Sequence, residues 1–169
     1  MPRAGGTPPA RILSPVPELY VFLMAMAPVV ELRGAIPLGV ALGLPVWEAF
    51  FWAVLGNLLV VPLLLTLLPI LIGWLERVPL FKKLWDALEA RVRLKGEEKV
   101  QRYGALGLYL FVAVPLPGTG AWTGSILAVV LGVKKRYALP AISAGVVTAG
   151  ILVALASAGV LQGLRFLVR

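Results

Sequence analysis

LYVFLMAMAPVVELRGAIPLGVALGLPVW, residues 19–47, is apolar at both ends and broken in the middle. Glu31, Arg33, Gly34 and Pro37 fall at its centre, and one regular helix does not run through such a cluster, because proline removes a backbone donor and glycine weakens the helix. Each arm holds about a dozen residues, roughly 20 Å of helix, short of the ~30 Å hydrocarbon core of a bilayer. Arms of that length predict a re-entrant hairpin that enters and leaves on one side of a membrane. Irregular backbone at that depth is tolerated only inside protein or along a polar cavity, so the tip is expected to face inward.

Residues 103–133 repeat the pattern, with Pro115, Pro117, Gly118 and Gly120 at the centre. Residues 49–75 and 137–164 carry no charge, and each reaches about 40 Å as a helix, enough to cross with tilt. Pro62, Pro69 and Pro140 interrupt them as kinks of the kind membrane helices absorb. Gly43 aligns with Gly132, the same offset pairs Gly56 with Gly145, and Gly34-Ala35 meets Gly120-Ala121 after a small shift. The fold expected is an all-α integral membrane protein. It is an inverted repeat of two units, each a re-entrant hairpin plus one transmembrane helix. The expected bounds are a tail over 1–15, hairpin 16–45, crossing 46–75, linker 76–102, hairpin 103–133 and crossing 136–164.

Composition agrees. The 169 residues are 60% hydrophobic and 14% charged, with a mean hydropathy of +0.93, outside the range of a soluble domain. Length leaves room for about four membrane elements. Cys and His are absent, which removes disulfides, thiol chemistry, the usual zinc sites and imidazole bases. With no nucleophile, carboxylate pair or metal set, neither an enzyme nor a cofactor is expected. Arg3 and Arg11 before a short apolar run imitate a signal peptide, but Pro28 follows the small residues Ala25 and Ala27 and opposes cleavage.

The net charge of +8 lies between and beside the apolar runs, which is membrane-surface charge and not a nucleic-acid footprint. Residues 76–102 read as an amphipathic interfacial helix, with Leu80, Phe81, Leu84, Trp85, Leu88 and Val92 on one face and Pro79 in its first turn. In the hairpin topology this linker and Lys134-Lys135-Arg136 share one side with 11 basic residues against four at the termini. That side is cytoplasmic by the positive-inside rule, placing both termini outside a cell (inner) membrane. Full spans would instead gather 12 against three, so charge counting allows both topologies.

Glu31 and Arg33 are the candidate charges of a midplane site, since an unpaired charge there costs at least ~2.5 kcal/mol. They pair with each other, or serve as proton or cation acceptor and as anion anchor. VPLPGTGAWTG, residues 114–124, supplies backbone groups: its second arm is expected to start near Gly120, and the opposite one near Ile36 or Pro37, so that two helix N-termini converge and favour an anion. Gly34, Pro37, Pro117, Gly118, Thr119, Gly120, Trp122 and Thr123 complete the substrate- and ion-binding set.

ELRGAIPLGVALGLP (31–45) together with VPLPGTGAWTG resembles the small multidrug export protein family over nearly the whole chain. That family is similar to the DedA and VTT superfamily, whose members have paired re-entrant hairpins and include lipid flippases and scramblases. The resemblance implies a transporter or flippase for a small amphipathic or lipid-linked substrate, proton coupling through Glu31, and membrane lipids as partners. DedA proteins carry arginines around the second tip that this chain lacks, which leaves Arg33 and backbone N–H groups to hold any phosphate. Two crossings per chain leave hairpin flanks facing lipid, so a homodimer is expected. The competing class is a non-transporting scaffold whose buried pair only fixes helix register.

Overall fold

A computed structural model describes residues 17–94, 97–116 and 118–167. The expectations for the 1–15 tail, for Pro117 and for the side chains of Leu84, Leu88 and Val92 lie outside the described residues. The elements are α1 (Pro17–Met26), α2 (Glu31–Ala41), α3 (Val46–Leu75), α4 (Pro79–Leu94), α5 (Glu97–Ala113), α6 (Ala121–Val130) and α7 (Lys135–Leu167). No strand occurs among the described residues.

The two long helices, α3 and α7, are long and apolar enough to cross a membrane. Along α3 the large residues at every fourth position, Trp47, Phe51, Leu55, Leu59, Leu63 and Leu67, stand exposed, with Trp74 at the far end. A continuous apolar stripe of this kind is stable where it meets no water, as against lipid. Trp47 and Trp74 lie about 40 Å apart along the helix. That matches the spacing of the two headgroup layers, where tryptophan's apolar body and N–H are both accommodated.

The chain doubles back between α1 and α2. A Cβ built on Gly39, near the end of α2, would stand 2.8 Å from Val21 in the middle of α1 and 2.8 Å from Ala49 of α3. The reversal lies at residues 27–30, not at 31–37 as the breaker cluster suggests. Pro28 ends α1, and Glu31 takes a left-handed φ of 48°, a conformation that costs a side-chain-bearing residue about 1–2 kcal/mol. Once the chain has reversed there, α2 winds straight through Pro37. The second arm therefore begins at Glu31 and not at Ile36 or Pro37.

Both short arms close the same way. The Gly43 N–H donates to Val40 O at 3.0 Å and the Leu44 N–H to Gly39 O at 3.0 Å. At the corresponding place the Gly132 N–H donates to Val129 O at 3.0 Å and the Val133 N–H to Ala128 O at 2.9 Å. Gly43 and Gly132 have φ of 94° and 64°, so each ends its helix in the Schellman turn that a glycine permits. The same offset takes Gly56 to Gly145, and both seat a helix alike. A Cβ on Gly56 would collide with the Phe22 carbonyl and approach Ala25 of α1, and one on Gly145 would approach the Tyr109 carbonyl and Val112 of α5.

α3 and α7 pack antiparallel: Lys135 Nζ donates to Thr66 Oγ1 at 2.6 Å, while Gly150 lies beside Val54 and Phe50. Small residues line the contacts, among them Ala49, Ala53, Ala149 and Ala154 in the core, as close helix approach in a membrane requires. The linker differs from the single amphipathic helix expected over 76–102. α4 ends at Leu94, and α5 starts at Glu97 and runs without a break into the apolar arm; Gly104 and Gly107 lie inside it, where a glycine weakens a helix by about 1 kcal/mol but does not stop it as a proline would.

Candidate functional site

The two tips meet, and the meeting is electrostatic. The Glu31 carboxylate lies against the first turn of α6, where Oε1 accepts the Trp122 backbone N–H at 3.2 Å. A carboxylate there satisfies an unpaired donor and complements the positive end of the helix dipole. Glu31 is buried, at 6% exposure. Gly120 makes the approach possible, for a Cβ on it would collide with the carboxylate.

Arg33 does the reverse at the other helix of the same tip. Its Nη1 donates to Leu116 O at 2.6 Å, and Nη2 to Val112 O and Val114 O, both at 3.3 Å. These are the carbonyls at the C-terminus of α5 and just beyond it, the negative end of the dipole, where a cation is favoured. Hydrogen bonds to a charged group contribute about 1.5–3 kcal/mol each. Trp122 closes a third end: its indole Nε1 donates to Met26 O, the last residue of α1, at 3.0 Å.

Glu31 and Arg33 thus hold the second tip and not each other. Two residues apart on a helix, their side chains leave on different faces. The N-terminus of α6, expected as an open seat for an external anion, is filled by the chain's own carboxylate.

An open cleft of about 500 Å³ lies at the junction. Of the sequence-derived candidates it gathers Glu31, Arg33, Gly34, Gly118, Thr119 and Thr123. Pro28 and Pro115, which the sequence reading did not single out for binding, line it as well. Thr119 Oγ1 donates within its own loop, to Val114 O at 2.8 Å or Leu116 O at 3.0 Å, and shapes the tip. Pro37 is elsewhere: with Arg33, Val40, Pro115, Leu152 and Val153 it borders an apolar groove of about 560 Å³ between α2 and α7. Trp122 faces α3, beside Leu64, Leu68 and Trp74, so its side chain is not part of the cleft.

One polar residue at the junction escaped the sequence reading. Asn57, in the middle of α3, is 1% exposed and borders a small void with Glu31, Arg33 and Gly120. A lone carboxamide in an uncharged span was the available signal, since buried polar groups in membranes usually mark contacts or function.

A family model described as "Putative small multi-drug export protein" matches residues 31–152. No curated protein and no solved structure matches the chain. The match spans most of the chain and includes Glu31, Arg33 and the whole second tip, and the chain belongs to that family, whose description is of an exporter.

Proposed function

We propose that this chain is a membrane transporter whose substrate binds at the tip junction, polar part in the 500 Å³ cleft and apolar part in the 560 Å³ groove. The observation that carries the reading is that Arg33 and Pro115 border both spaces. A molecule with one polar and one apolar end, such as an amphipathic drug or a lipid-linked compound, fits a site whose two halves meet at a guanidinium.

In this reading α1–α2 and α5–α6 are re-entrant hairpins that enter from opposite sides, with linker and Lys134–Arg136 cytoplasmic and both termini outside. The support is physical: the short arms α1, α2 and α6 have 10, 11 and 10 residues, about 15 Å each and below the hydrocarbon thickness. α3 and α7 are antiparallel, and the halves share turn and seat glycines, as an inverted repeat requires. Rocking of one half against the other exposes the site alternately, Glu31 serves as the coupling proton acceptor, and a second copy covers the hairpin flanks.

Reconstitution in liposomes tests this. Purified protein is expected to move an amphipathic cation or an anionic lipid, and Arg33→Ala is expected to spare the first more than the second. Protein that moves neither, and copurifies with a stable partner, would make it a scaffold.

A further inference from the structure

The buried side-chain atoms without a hydrogen-bond partner are, among the described residues, Arg33 Nε, both amide atoms of Asn57 and Thr123 Oγ1. Every one belongs to a residue of the tip junction. Folded proteins leave few such atoms, and each costs about 1–3 kcal/mol. Their concentration in one place points to an arrangement in which they are used.

Asn57 defines what its partner must be. Nδ2 is a donor and Oδ1 an acceptor, and both are free. The void beside them has no room for a water molecule, so the partner is a protein group that arrives by moving. Among side chains bordering that void, Glu31 and Arg33 are the other polar ones. Arg33 only donates. A carboxylate only accepts, whereas a protonated carboxyl donates through its O–H and accepts through its carbonyl, which matches a carboxamide atom for atom.

We propose that Asn57 is a second seat for the Glu31 side chain, a proton-binding position in which the neutral carboxyl pairs with the Asn57 amide and leaves the first turn of α6. The proposal rests on the tip junction being the transport site. In the ionised state Glu31 bridges the tips through the α6 N-terminus. In the protonated state it loses the attraction to the dipole, turns toward α3 and releases α6, while Arg33 stays on α5. The proton adds to a carboxylate oxygen and leaves from it; no other bond is made or broken. Arg33, from α2, is the charged neighbour of Glu31. α1, α3, α5, α6 and α7 contribute no titratable side chain to these spaces among the described residues.

The absence of native cysteine allows a direct test on the intact protein in lipid, with no substrate needed. Val29→Cys and Ile126→Cys, both exposed, carry spin labels that report the separation of the first tip from α6. Acidification is expected to add a longer distance population in the parent. Asn57→Val, which installs the residue found at the matching position Val146, is expected to reduce that population at least tenfold while keeping or raising the melting temperature. Glu31→Gln, neutral at every pH and complementary to Asn57, is expected to hold it constant. A parent that does not respond to pH, or an Asn57→Val protein that responds as the parent does, overturns the proposal. Should Asn57→Val fail to fold, the Glu31→Gln distances decide alone: a pH-dependent population there also overturns it. Because the distances are read without substrate, their failure is separate from a failure of liposome transport.

Discussion

The α1–α2–α3 half and the α5–α6–α7 half share a frame and differ in chemistry. Each ends its short arm in a Schellman turn on glycine, at Gly43 and Gly132, and each seats an incoming helix on a glycine of its long one, Gly56 and Gly145. At the tips the likeness stops. The first presents a carboxylate and a guanidinium; the second presents helix ends and loop carbonyls that receive them. Repetition supplies the scaffold, and asymmetry supplies the contact, because the charges of one tip meet the helix ends of the other.

The largest expected effect breaks the asymmetry outright. Arg33→Ala removes three charge-assisted hydrogen bonds from the end of α5 and is expected to cost about 3–5 kcal/mol of stability, since partial compensation by solvent offsets part of the gross sum, and to lower anionic-lipid transport more than amphipathic-cation transport. Arg33→Lys, which keeps the charge but not the fork, is expected to recover less than half. Thermal unfolding in detergent, alongside liposome uptake, measures both.

Gly120→Ala against Gly34→Ala sharpens the comparison further. The first drives a methyl into the Glu31 carboxylate, and the second meets the Val30 side chain at 2.6 Å within its own half. About 2–3 kcal/mol is expected from Gly120→Ala and less than half of that from Gly34→Ala, since a half-buried valine at a turn yields more readily than a buried ion. Equal losses would mean that Glu31 is not held where the structure has it.

The shared frame makes the next prediction. Gly56→Ala and Gly145→Ala each press a methyl on a backbone carbonyl of the seated helix and are expected to destabilise by similar amounts, about 1–3 kcal/mol. A large inequality in their melting temperatures would argue against equivalent halves. The smallest effect belongs to Thr119→Val, which loses the hydroxyl bond inside the second loop, about 1 kcal/mol. It is expected to leave the first tip untouched, as labelling rates at Val29→Cys would report.

The long helices and the two breaks were legible in the sequence because length, charge and proline act locally. α3 needs nothing beyond its own apolar run to be recognised. The position of the first reversal was not legible: Glu31 combines a left-handed backbone with a side-chain contact far along the chain, and neither is written in the residues beside it. Nor was the filling of the α6 N-terminus, since Gly120 reads as a flexible loop glycine until the carboxylate is placed against it. Asn57 was visible as a letter, but its burial beside Glu31 depends on how α3 crosses the tips.

The distance along the chain between the two tips also sets a timetable. Arg33 bonds to carbonyls 79 to 83 residues later and Glu31 to a residue 91 later. At a synthesis rate of about 5–20 residues per second, the two charges wait on the order of 4–18 s for those partners to be made. Until then neither charge has the partner that the folded chain gives it, so the docking of α1–α2 against α5–α6 is completed only after the second half has been made.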